Sequence, residues 1–550
     1  MLGLADHRPA HPAISRQRIR VPQQNKSALH LPPLNQAVSR LETNRDQIQS
    51  QSSQLLAISF FANSPTLGEL QHQARAELLD LALSYSNQYL PRSEPVQLTD
   101  QPIVMSGHQP TLYHAGVWYK NFVLSELANR TSAIAINLIV DSDLSNNQAI
   151  RYPDQNATPI RMQSVAIDTP AGAMPFEQRF VQDPSFFFEL PDRIDKALAF
   201  TDESCIAKRL WPEVIQSYHQ LSKSNPSPAL GATIAAGRHR LEQSVGLRTL
   251  EIPASQLSQT NAFATFAAAI FDQAIKFRDT YNQVLAEYRT VNRIRSTSHP
   301  VPALEQTDDW TEVPFWVSSN QAPQRQRLFI RTQAETFELS DRKQFRQTLP
   351  KANFIAEFKQ LSALGIAIRP RAVSTTTFCR LLMSDIFIHG VGGSKYDQLT
   401  DAISQRFFGY CLPEFLTVSA TFRLPTQIPR LAKADITKLE TRRREYNFHP
   451  ERFLANESLT PQAVELIEQK RQWINLSNVR SLEKHRDITR INQALRAMLK
   501  PTDKQLKAEI DSLNAQLKSS DIANSREYSF CLFGENLVDD LKQLVQANFA

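Results

Sequence analysis

Short apolar runs alternate with stretches of helical spacing along the first third of the chain. Residues 102–105 and 133–140 are near-continuous apolar runs, which predicts two buried strands. Between them, the segment 117–127 repeats its apolar residues at helical intervals. A second alternation follows, with strand, helix and strand predicted at 367–371, 377–383 and 385–388, and a further helix predicted from Asp397 to Arg406. Such alternation is typical of an α/β fold with a parallel sheet.

The N-terminal region is predicted to be irregular first and then helical. Residues 1–32 are rich in Pro, Arg, Gln and His without periodicity, which indicates an arm lying on the body of the protein. Helical spacing from Leu34 to about Leu56 predicts one helix. Thr66 begins a second helix, because Glu69 follows it at the spacing of a capping box.

The middle of the chain gives fewer signals. Residues 161–167 predict a strand, 261–288 a long helix or a pair of helices, and 328–331 a hairpin strand. Most of the segment 150–240 has no pattern that supports an assignment.

The C-terminal third is predicted to be a helical arm. Residues 461–500 are amphipathic, and a second stripe has the 4-3-4 spacing of a coiled-coil seam. The stripe consists of Leu506, Ile510, Leu513 and Leu517. We expect the arm to be kinked or hairpinned at Lys500–Pro501, and residues 528–533 to be an edge strand or a docking segment.

Together these patterns predict an α/β protein: a Rossmann-like doubly wound core with inserted connective segments and a C-terminal helical coiled-coil arm. Two to four domains fit the length of 550 residues. The predicted segments are an N-terminal arm and helices (1–95), the first half of the core (96–150), an inserted or connective region (151–300), the second half of the core (301–425), a charged connector and coiled-coil arm (426–520) and a C-terminal docking segment (521–550).

Composition narrows the class of protein. The four cysteines form no CxxC pair, which argues against structural zinc and a disulfide framework and predicts a cytoplasmic protein. The beginning of the chain lacks the apolar segment of a secretory signal, and the longest apolar stretch, 262–271, is too short to span a bilayer, so no membrane partner is expected. A net charge of +6 permits an acidic partner, but the excess is small for this length, and nucleic acid is disfavoured.

Glycine placement directs attention to two segments. Fourteen glycines in 550 residues is about a third of the usual frequency of ~7%. Two of them bracket 107–116, and three fall within 390–393; both segments follow predicted strands. Glycine is expected where the backbone adopts positive φ or lies close to a ligand. We therefore interpret the two segments as two walls of one ligand site.

The first segment offers histidines at a strand–helix junction. His108 and His114 could act as general acid or base, or donate hydrogen bonds to an anion. The candidate ligand-binding residues here are Gly107, Gln109 and Lys120, whose ammonium group would be a mobile cation. The alternative is that the histidines cap the following helix and pack on its aromatic side chains.

Two aspartates end the next predicted strand. Asp141 and Asp143 could bind Mg²⁺, a ribose hydroxyl or an amine. Alternatively, they form local hydrogen bonds in a turn. Later in the chain, Arg369 could clamp a carboxylate with two hydrogen bonds, or it could be an exposed arginine.

The second segment combines histidine, glycines and a cation in one run. It follows a predicted strand, and its glycines would let the backbone approach an anionic or nucleotide ligand. Its candidate residues are His389, Gly390, Gly392, Gly393, Lys395 and Tyr396. The run matches neither the Walker A nor the GxGxxG pattern, and a tight structural turn is the alternative. Nowhere does the sequence carry the spacing of a metal site, so no metal ligands are predicted.

These residues resemble those of the bacillithiol biosynthesis cysteine-adding enzyme family. The order Gly107, His108, Gln109, Leu112, Tyr113, Gly116 and Lys120 follows the family's first motif, with His108 in place of glutamine. Asp141 and Asp143 match its acidic cluster, and Arg369-Pro370, Gly390, Gly392 and Tyr396 match its later motif, with Val391 and Gly393 as departures. The resemblance implies a Rossmann-like core, connective insertions and a C-terminal coiled coil.

The resulting functional hypothesis is a ligase-like carbon–nitrogen-bond-forming enzyme. By the resemblance it would join an amino acid, cysteine being one candidate, to an amine of a small sugar-type acceptor. His108 or His114 would be the general base, and Asp141 or Asp143 would hold the substrate amine or Mg²⁺. A need for ATP or ADP with Mg²⁺ is left open. The competing hypothesis is a non-catalytic nucleotide- or sugar-binding scaffold, and a homodimer through the helical arm is compatible with both.

Overall fold

The computed structural model describes residues 14–16, 18–90, 101–146, 148–197, 205–320, 322–426, 428–430, 433–454, 460–475, 482–499 and 503–549. It is a mixed α/β structure that divides into two compact units. The first unit comprises 1–151, 164–423 and 526–550, and the second comprises 152–163 and 424–525.

The strands, in chain order, are β1 (Ser27–Leu31), β2 (Ile103–His108), β3 (Ile134–Ile139), β4 (Leu144–Ser145), β5 (Ala149–Asp154), β6 (Arg161–Ala166), β7 (Met174–Pro175), β8 (Leu250–Pro253), β9 (Gln306–Thr307), β10 (Trp310–Ser319), β11 (Gln326–Thr332), β12 (Thr336–Ser340), β13 (Arg346–Pro350), β14 (Ile366–Pro370), β15 (Ile386–His389) and β16 (Phe415–Thr421).

The α-helices are α1 (Ala37–Gln51), α2 (Leu67–Asn87), α3 (Ala115–Thr131), α4 (Pro184–Phe188), α5 (Leu190–Ala197), α6 (Ile206–Leu221), α7 (Leu230–Ser244), α8 (Ala254–Leu257), α9 (Asn261–Asp272), α10 (Ala274–Asn292), α11 (Phe354–Ala363), α12 (Ala372–Leu382), α13 (Val391–Ile403), α14 (Lys433–Phe448), α15 (Pro461–Asn475), α16 (Leu482–Ala497), α17 (Asp503–Ala523) and α18 (Asn536–Phe549). Short 3₁₀ turns form at Leu34–Gln36, Phe176–Gln178, Pro450–Phe453 and Phe530–Leu532, and Ser404–Phe408 forms a π-helical turn.

The central sheet of the first unit has six strands in the order β1-β16-β15-β2-β3-β8. β16, β15, β2, β3 and β8 are parallel, and β1 is antiparallel to β16 at the edge. The parallel strands therefore all end at one edge of the sheet, which we call the carboxyl edge. From β2 the chain continues to β3 and β8 on one side, and later to β15 and β16 on the other.

A second, antiparallel sheet has the order β13-β12-β11-β10-β14, with β9 paired to β10. The face of β10 that carries Phe315 packs on α9, whose residues 262–271 are all buried. The ring of Phe263 on α9 lies 5.8 Å from Phe315 and 5.2 Å from Phe378 on α12. The longest apolar stretch of the sequence is thus a core helix that joins the second sheet to α12.

The N-terminal helices follow the sequence closely. Thr66 and Glu69 form the expected capping box at the start of α2, with Thr66 Oγ1 accepting from the Glu69 N–H at 3.2 Å. The helix predicted from Leu34 to Leu56 is shorter, because α1 ends at Gln51. Of the predicted irregular arm, residues 1–13 lie outside the described part, and 27–31 form β1.

The second unit contains α14, α15, α16 and α17. α14 packs against α16 and α17, and α15 packs against α16. Ile491 and Leu495 on α16 are buried with Ala463 on α15. The predicted kink at Lys500–Pro501 lies outside the described residues, and the coiled-coil character of the arm stays a prediction.

Three sequence expectations differ from the structure in the first unit. The glycine segment is not a loop, because α13 begins at Val391 rather than at Asp397. Residues 528–533 form a 3₁₀ turn rather than an edge strand, although isolated bridges from Ser529 to His114 and from Gly534 to Cys205 do dock this segment on the unit. The predicted connective region 151–300 contributes β8 to the central sheet.

Candidate functional site

The candidate residues of both segments lie at or next to the carboxyl edge. His108 ends β2, Asp141 and Asp143 follow β3, Ser255 follows β8, and His389 ends β15. Because these four strands are neighbours in the sheet, their ends form one row of polar groups. In open α/β sheets, ligands bind at this edge, beside the point where the strand order reverses. Here that point lies between β2 and β15.

His108 is a partly buried, neutral imidazole. Its ring packs edge-on against Tyr113, 5.0 Å between centroids, and its Nδ1 lies 3.3 Å from the Gln109 carbonyl oxygen. Burial, and then the charge of Lys120, lowers the pKa of His108 to about 3. An imidazole with so low a pKa is a weak base at neutral pH, although it can still donate or accept a hydrogen bond.

His114 is the N-cap of α3. Its Nδ1 accepts a hydrogen bond from the Gly116 N–H at 3.1 Å, and its Nε2 lies 3.5 Å from Glu527. Burial, followed by the charges of Arg526 and Lys120, lowers its pKa to about 3. The capping alternative therefore describes the geometry of His114, and both ring nitrogens face protein groups.

Lys120 is buried rather than mobile. Its Nζ donates to the carbonyl oxygen of Gly107 at 2.9 Å. Burial lowers its pKa to about 8. The side chain that was expected to be a free cation instead holds the carboxyl end of β2 through this hydrogen bond.

Asp141 accepts two hydrogen bonds from one serine. The N–H of Ser255 donates to Oδ1 at 2.9 Å, and its hydroxyl donates to Oδ2 at 2.5 Å. Asp141 is 8% exposed. Burial, and then the neighbouring carboxylate of Glu177, raises the pKa of Asp141 to about 7 against the opposing effect of Ser255. A carboxyl group with a pKa near 7 is suited to proton transfer at neutral pH.

Asp143 and Arg369 belong to a group of alternating charges beside Asp141. Asp143 accepts from Gln109 Nε2 at 2.9 Å and pairs with Arg325 Nη1 at 3.0 Å, and its side chain is 38% exposed. Nε and Nη2 of Arg369 donate hydrogen bonds to the two carboxylate oxygens of Glu177, with N–O distances of 2.8 to 3.1 Å. The predicted carboxylate clamp is therefore already occupied by an internal carboxylate.

The second segment forms the first turn of α13. Gly390 is the N-cap and provides no side-chain cap, while Gly392 and Gly393 lie in the first turn. Lys395 has an exposed side chain, and its backbone oxygen accepts from the Tyr288 hydroxyl at 2.5 Å. The N–H groups that begin a helix have no intrahelical partners and favour anions. These residues could hold the anionic group of a substrate or of a nucleotide cofactor.

His389 precedes this turn, and the carboxylate of Asp397 binds its imidazole ring. Its Nε2 donates to Asp397 at 2.9 Å, and Asp397 also pairs with Arg380. Burial alone would raise the pKa of Asp397, but Arg380 and His389 outweigh it and hold the pKa below its ordinary value. Asp397 is therefore an anion that orients His389.

The two predicted segments start from the same edge of the central sheet. β15, which leads into α13, and β3, which leads to Asp141 and Asp143, both lie beside β2. Burial, followed by the negative charges of Asp397 and Asp143, raises the pKa of Tyr396 to about 12. That the two segments form the walls of one ligand site stays a prediction.

Sequence reasoning missed several residues that build this edge. Ser255 follows β8 in the same way that Asp141 follows β3, but Glu251 interrupts the apolar residues of β8, so the sequence shows no strand signal there. Glu177 and Arg325 lie in segments without a pattern and reach the edge only through the tertiary fold. Asp397 was noted in the glycine segment but was not assigned a role.

A buried charge network behind the edge was also missed. Arg238 on α7 pairs with Glu242 at 2.7 Å and with Glu251 on β8 at 2.5 Å. Glu242 accepts from Trp118 and Asn121 on α3, and Glu251 accepts from Asn137 on β3. This network binds α3, α7, β3 and β8 to one another beneath the ends of the strands.

The part of the chain that the structure describes gives no sign of a metal centre or of a membrane-spanning helix. Within the described ranges, no group of three or more histidine, cysteine or acidic side chains is arranged to hold a metal ion. No helix in the same ranges combines the length and apolar character needed to cross a bilayer.

The chain matches no protein-family model and no curated protein sequence.

Proposed function

We propose that this protein is a carbon–nitrogen ligase that joins an amino acid to the amine of a small sugar-type acceptor. The observation that carries the proposal is the placement of Asp141 and Asp143 after β3 and of the N-terminus of α13 after β15, at the same edge of one sheet. A bipolar site of this kind suits an amino acid, whose carboxylate and ammonium groups carry opposite charges.

The residues have distinct roles in this proposal. The first turn of α13 and Lys395 hold the anionic group, and Asp143 faces the ammonium group. Asp141 accepts the proton that the attacking amine loses, since a pKa of about 7 suits that step better than the low pKa of His108 or His114. ATP would first activate the amino-acid carboxylate as an acyl phosphate or acyl adenylate, so that phosphate or AMP leaves when the amine attacks. The N–H groups of α13 would stabilise the oxyanion that develops in this attack.

The strand order supports the Rossmann-like part of the proposal. Numbered among themselves in chain order, the five parallel strands run 3-2-1-4-5, which is the order of the dinucleotide-binding Rossmann fold without its sixth strand. The motif order shared with the bacillithiol cysteine-adding family supports cysteine as the first amino acid to test. Use of ATP or ADP with Mg²⁺, and a homodimer through the helical arm, are parts of the same proposal.

The direct test is product formation detected by mass spectrometry. The purified protein is incubated with each amino acid, beginning with cysteine, and an amino-sugar acceptor, with and without ATP, ADP and Mg²⁺. The expected product has the summed mass of the two substrates less one water. Asp141→Asn is expected to lower its rate by at least 100-fold, as for loss of a general base.

Asp272 provides a matched control for Asp141. It also accepts both the N–H and the hydroxyl of a single serine, Ser59, but it lies at the end of α9. Asp272→Asn should therefore keep the wild-type rate. Product formation by Asp141→Asn at the wild-type rate would refute the role of Asp141. Folded wild-type protein that forms no product with any substrate pair would refute the reaction.

A further inference from the structure

Gly392 is a glycine that neither the backbone nor the packing of the protein requires. Its φ is not in the left-handed region, and a Cβ at this position would meet no atom within 4 Å. Glycine in a helix costs roughly 0.5 to 1 kcal/mol relative to alanine. Gly390, the N-cap, is also surrounded by open space. Because the chain has few glycines, the glycines at the start of α13 call for an explanation other than backbone conformation or packing.

His389 directs an unused nitrogen toward the same turn. The residue is 5% exposed, and its Nε2 is bound to Asp397. Nδ1 has no hydrogen-bond partner among the described residues. A Cβ on Gly393 would lie 2.9 Å from this Nδ1, so the imidazole faces the first turn of α13 and requires glycine there.

The groups beside His389 determine which of its nitrogens can bind an anion. Asp397 accepts from Nε2, so Nδ1 is the nitrogen on the side of α13. Arg380 pairs with both Asp397 and Asp401 and so holds Asp397 in place. An imidazolium with Nε2 bound to Asp397 carries a second N–H at Nδ1. Lys395, on the same helix, is an exposed cation.

We propose that the first turn of α13 binds a phosphate group and that His389, oriented by Asp397, donates its Nδ1–H to one of the phosphate oxygens. This inference rests on the anion site of the proposed function and names the chemical class of its ligand. The N–H groups of Val391, Gly392 and Gly393, the His389 Nδ1–H and Lys395 offer more donors than the two oxygens of a carboxylate can satisfy. A phosphate, with three terminal oxygens, matches this number of donors.

Sulfate is the probe that isolates the contribution of the protein, because its charge stays constant between pH 6 and pH 8.5. Calorimetric titration should show that sulfate affinity falls at least about fivefold as pH rises over this range, since neutral imidazole loses the donating proton. His389→Asn should bind more weakly at pH 6 and lose the pH dependence. Asp401→Asn should retain it, which separates His389 from the other buried carboxylate beside Arg380, whose pKa burial raises to about 6.

Gly392→Ala tests anion binding by the first turn of α13 without destabilising the fold, because the protein leaves room for the added methyl group. We expect at least a tenfold loss of sulfate and phosphate affinity with unchanged or higher thermal stability. Lys395→Ala should weaken binding but keep its pH dependence, whereas Lys196→Ala, an exposed lysine on α5, should change neither. Wild-type affinity in both Gly392→Ala and His389→Asn would overturn the inference.

The source of the phosphate is distinguished by comparing inorganic phosphate, a sugar phosphate and a nucleoside monophosphate in the same titration. Tighter binding of one ester than of inorganic phosphate would identify the remainder of the ligand, and equal binding would assign the site to phosphate alone. These titrations contain no amino acid or acceptor. Phosphate binding can therefore succeed where ligation fails, and absence of all anion binding would overturn the phosphate site whatever the ligation assay shows.

Discussion

At the scale of single residues, Asp141 has the property most useful for the proposed chemistry. Its pKa of about 7 follows from burial and from Glu177, against two hydrogen bonds from Ser255. A carboxyl whose pKa is raised on folding contributes stability below its unfolded pKa of about 3.9, and this contribution is lost as pH rises to about 7. The same shift that would suit Asp141 to proton transfer therefore makes the fold sensitive to pH.

Asp141→Asn should remove this sensitivity. Asparagine does not ionise, and it can keep both contacts to Ser255 by accepting from the N–H and donating to the hydroxyl. Between pH 5 and pH 8, the free energy of unfolding of the variant should improve relative to wild type by about 2.6 kcal/mol, at about 1.4 kcal/mol for each unit between pH 5 and the pKa of about 7. Urea denaturation at the two pH values measures this difference. A constant difference would show that Asp141 is ionised throughout.

The sequence located some residues of the carboxyl edge and misjudged others for a physical reason. Asp141 and His389 were found because each follows a strong apolar strand, a local signal that tertiary structure preserves. The free cation expected at Lys120 is wrong, because the side chain turns inward to the carbonyl of Gly107. Whether a lysine faces solvent or its own backbone depends on neighbours distant in sequence, such as those that bury α3.

At the scale of elements, the distance between α3 and β16 depends on one glycine. A Cβ on Gly116 would lie 2.1 Å from the carbonyl oxygen of Ala420 on β16, which no backbone atom can tolerate. Gly116→Ala must therefore push the first turn of α3 away from the sheet. His114, which caps this turn through the Gly116 N–H, would move with it.

We expect Gly116→Ala to lower the free energy of unfolding by at least 2 kcal/mol, in the range of overpacked core substitutions. Gly392→Ala is the matched control, since it is also in the first turn of a helix but has open space around it. It should be neutral or stabilising. Chemical denaturation of both variants checks the prediction, and equal effects would contradict the close packing of α3 on β16.

Local sequence patterns predicted most of the helices and strands, but not the residues at which they begin and end. The capping box at Thr66 set the start of α2 correctly, because both of its partners are three residues apart in sequence. The start of α13 was placed six residues late, since three glycines in four positions indicate a loop. The chain accepts glycine in this first turn, which is one reason to infer a ligand there. Residues 528–533 have a strand-like composition, but they dock as a 3₁₀ turn.

At the scale of the whole molecule, the sequence predicted the α/β class but not which strands pair with one another in the sheet. The alternation of strand and helix is a local pattern, and it is present. That β8 joins β3, and that β1 adds an antiparallel edge to β16, depends on contacts between residues far apart in the chain. The network of Arg238, Glu242 and Glu251 has the same character, because three ionised residues in a helix and a strand look exposed until the fold buries them together.

The central claim is that residues 107–143 and 389–396 form one ligand site at the carboxyl edge. The most direct measurement is hydrogen–deuterium exchange with and without cysteine and a sugar phosphate at saturating concentrations. One site predicts that amide exchange slows in both segments together, and that Gly392→Ala abolishes the protection in both. Protection confined to one segment, or located elsewhere while the ligand demonstrably binds, would contradict the claim.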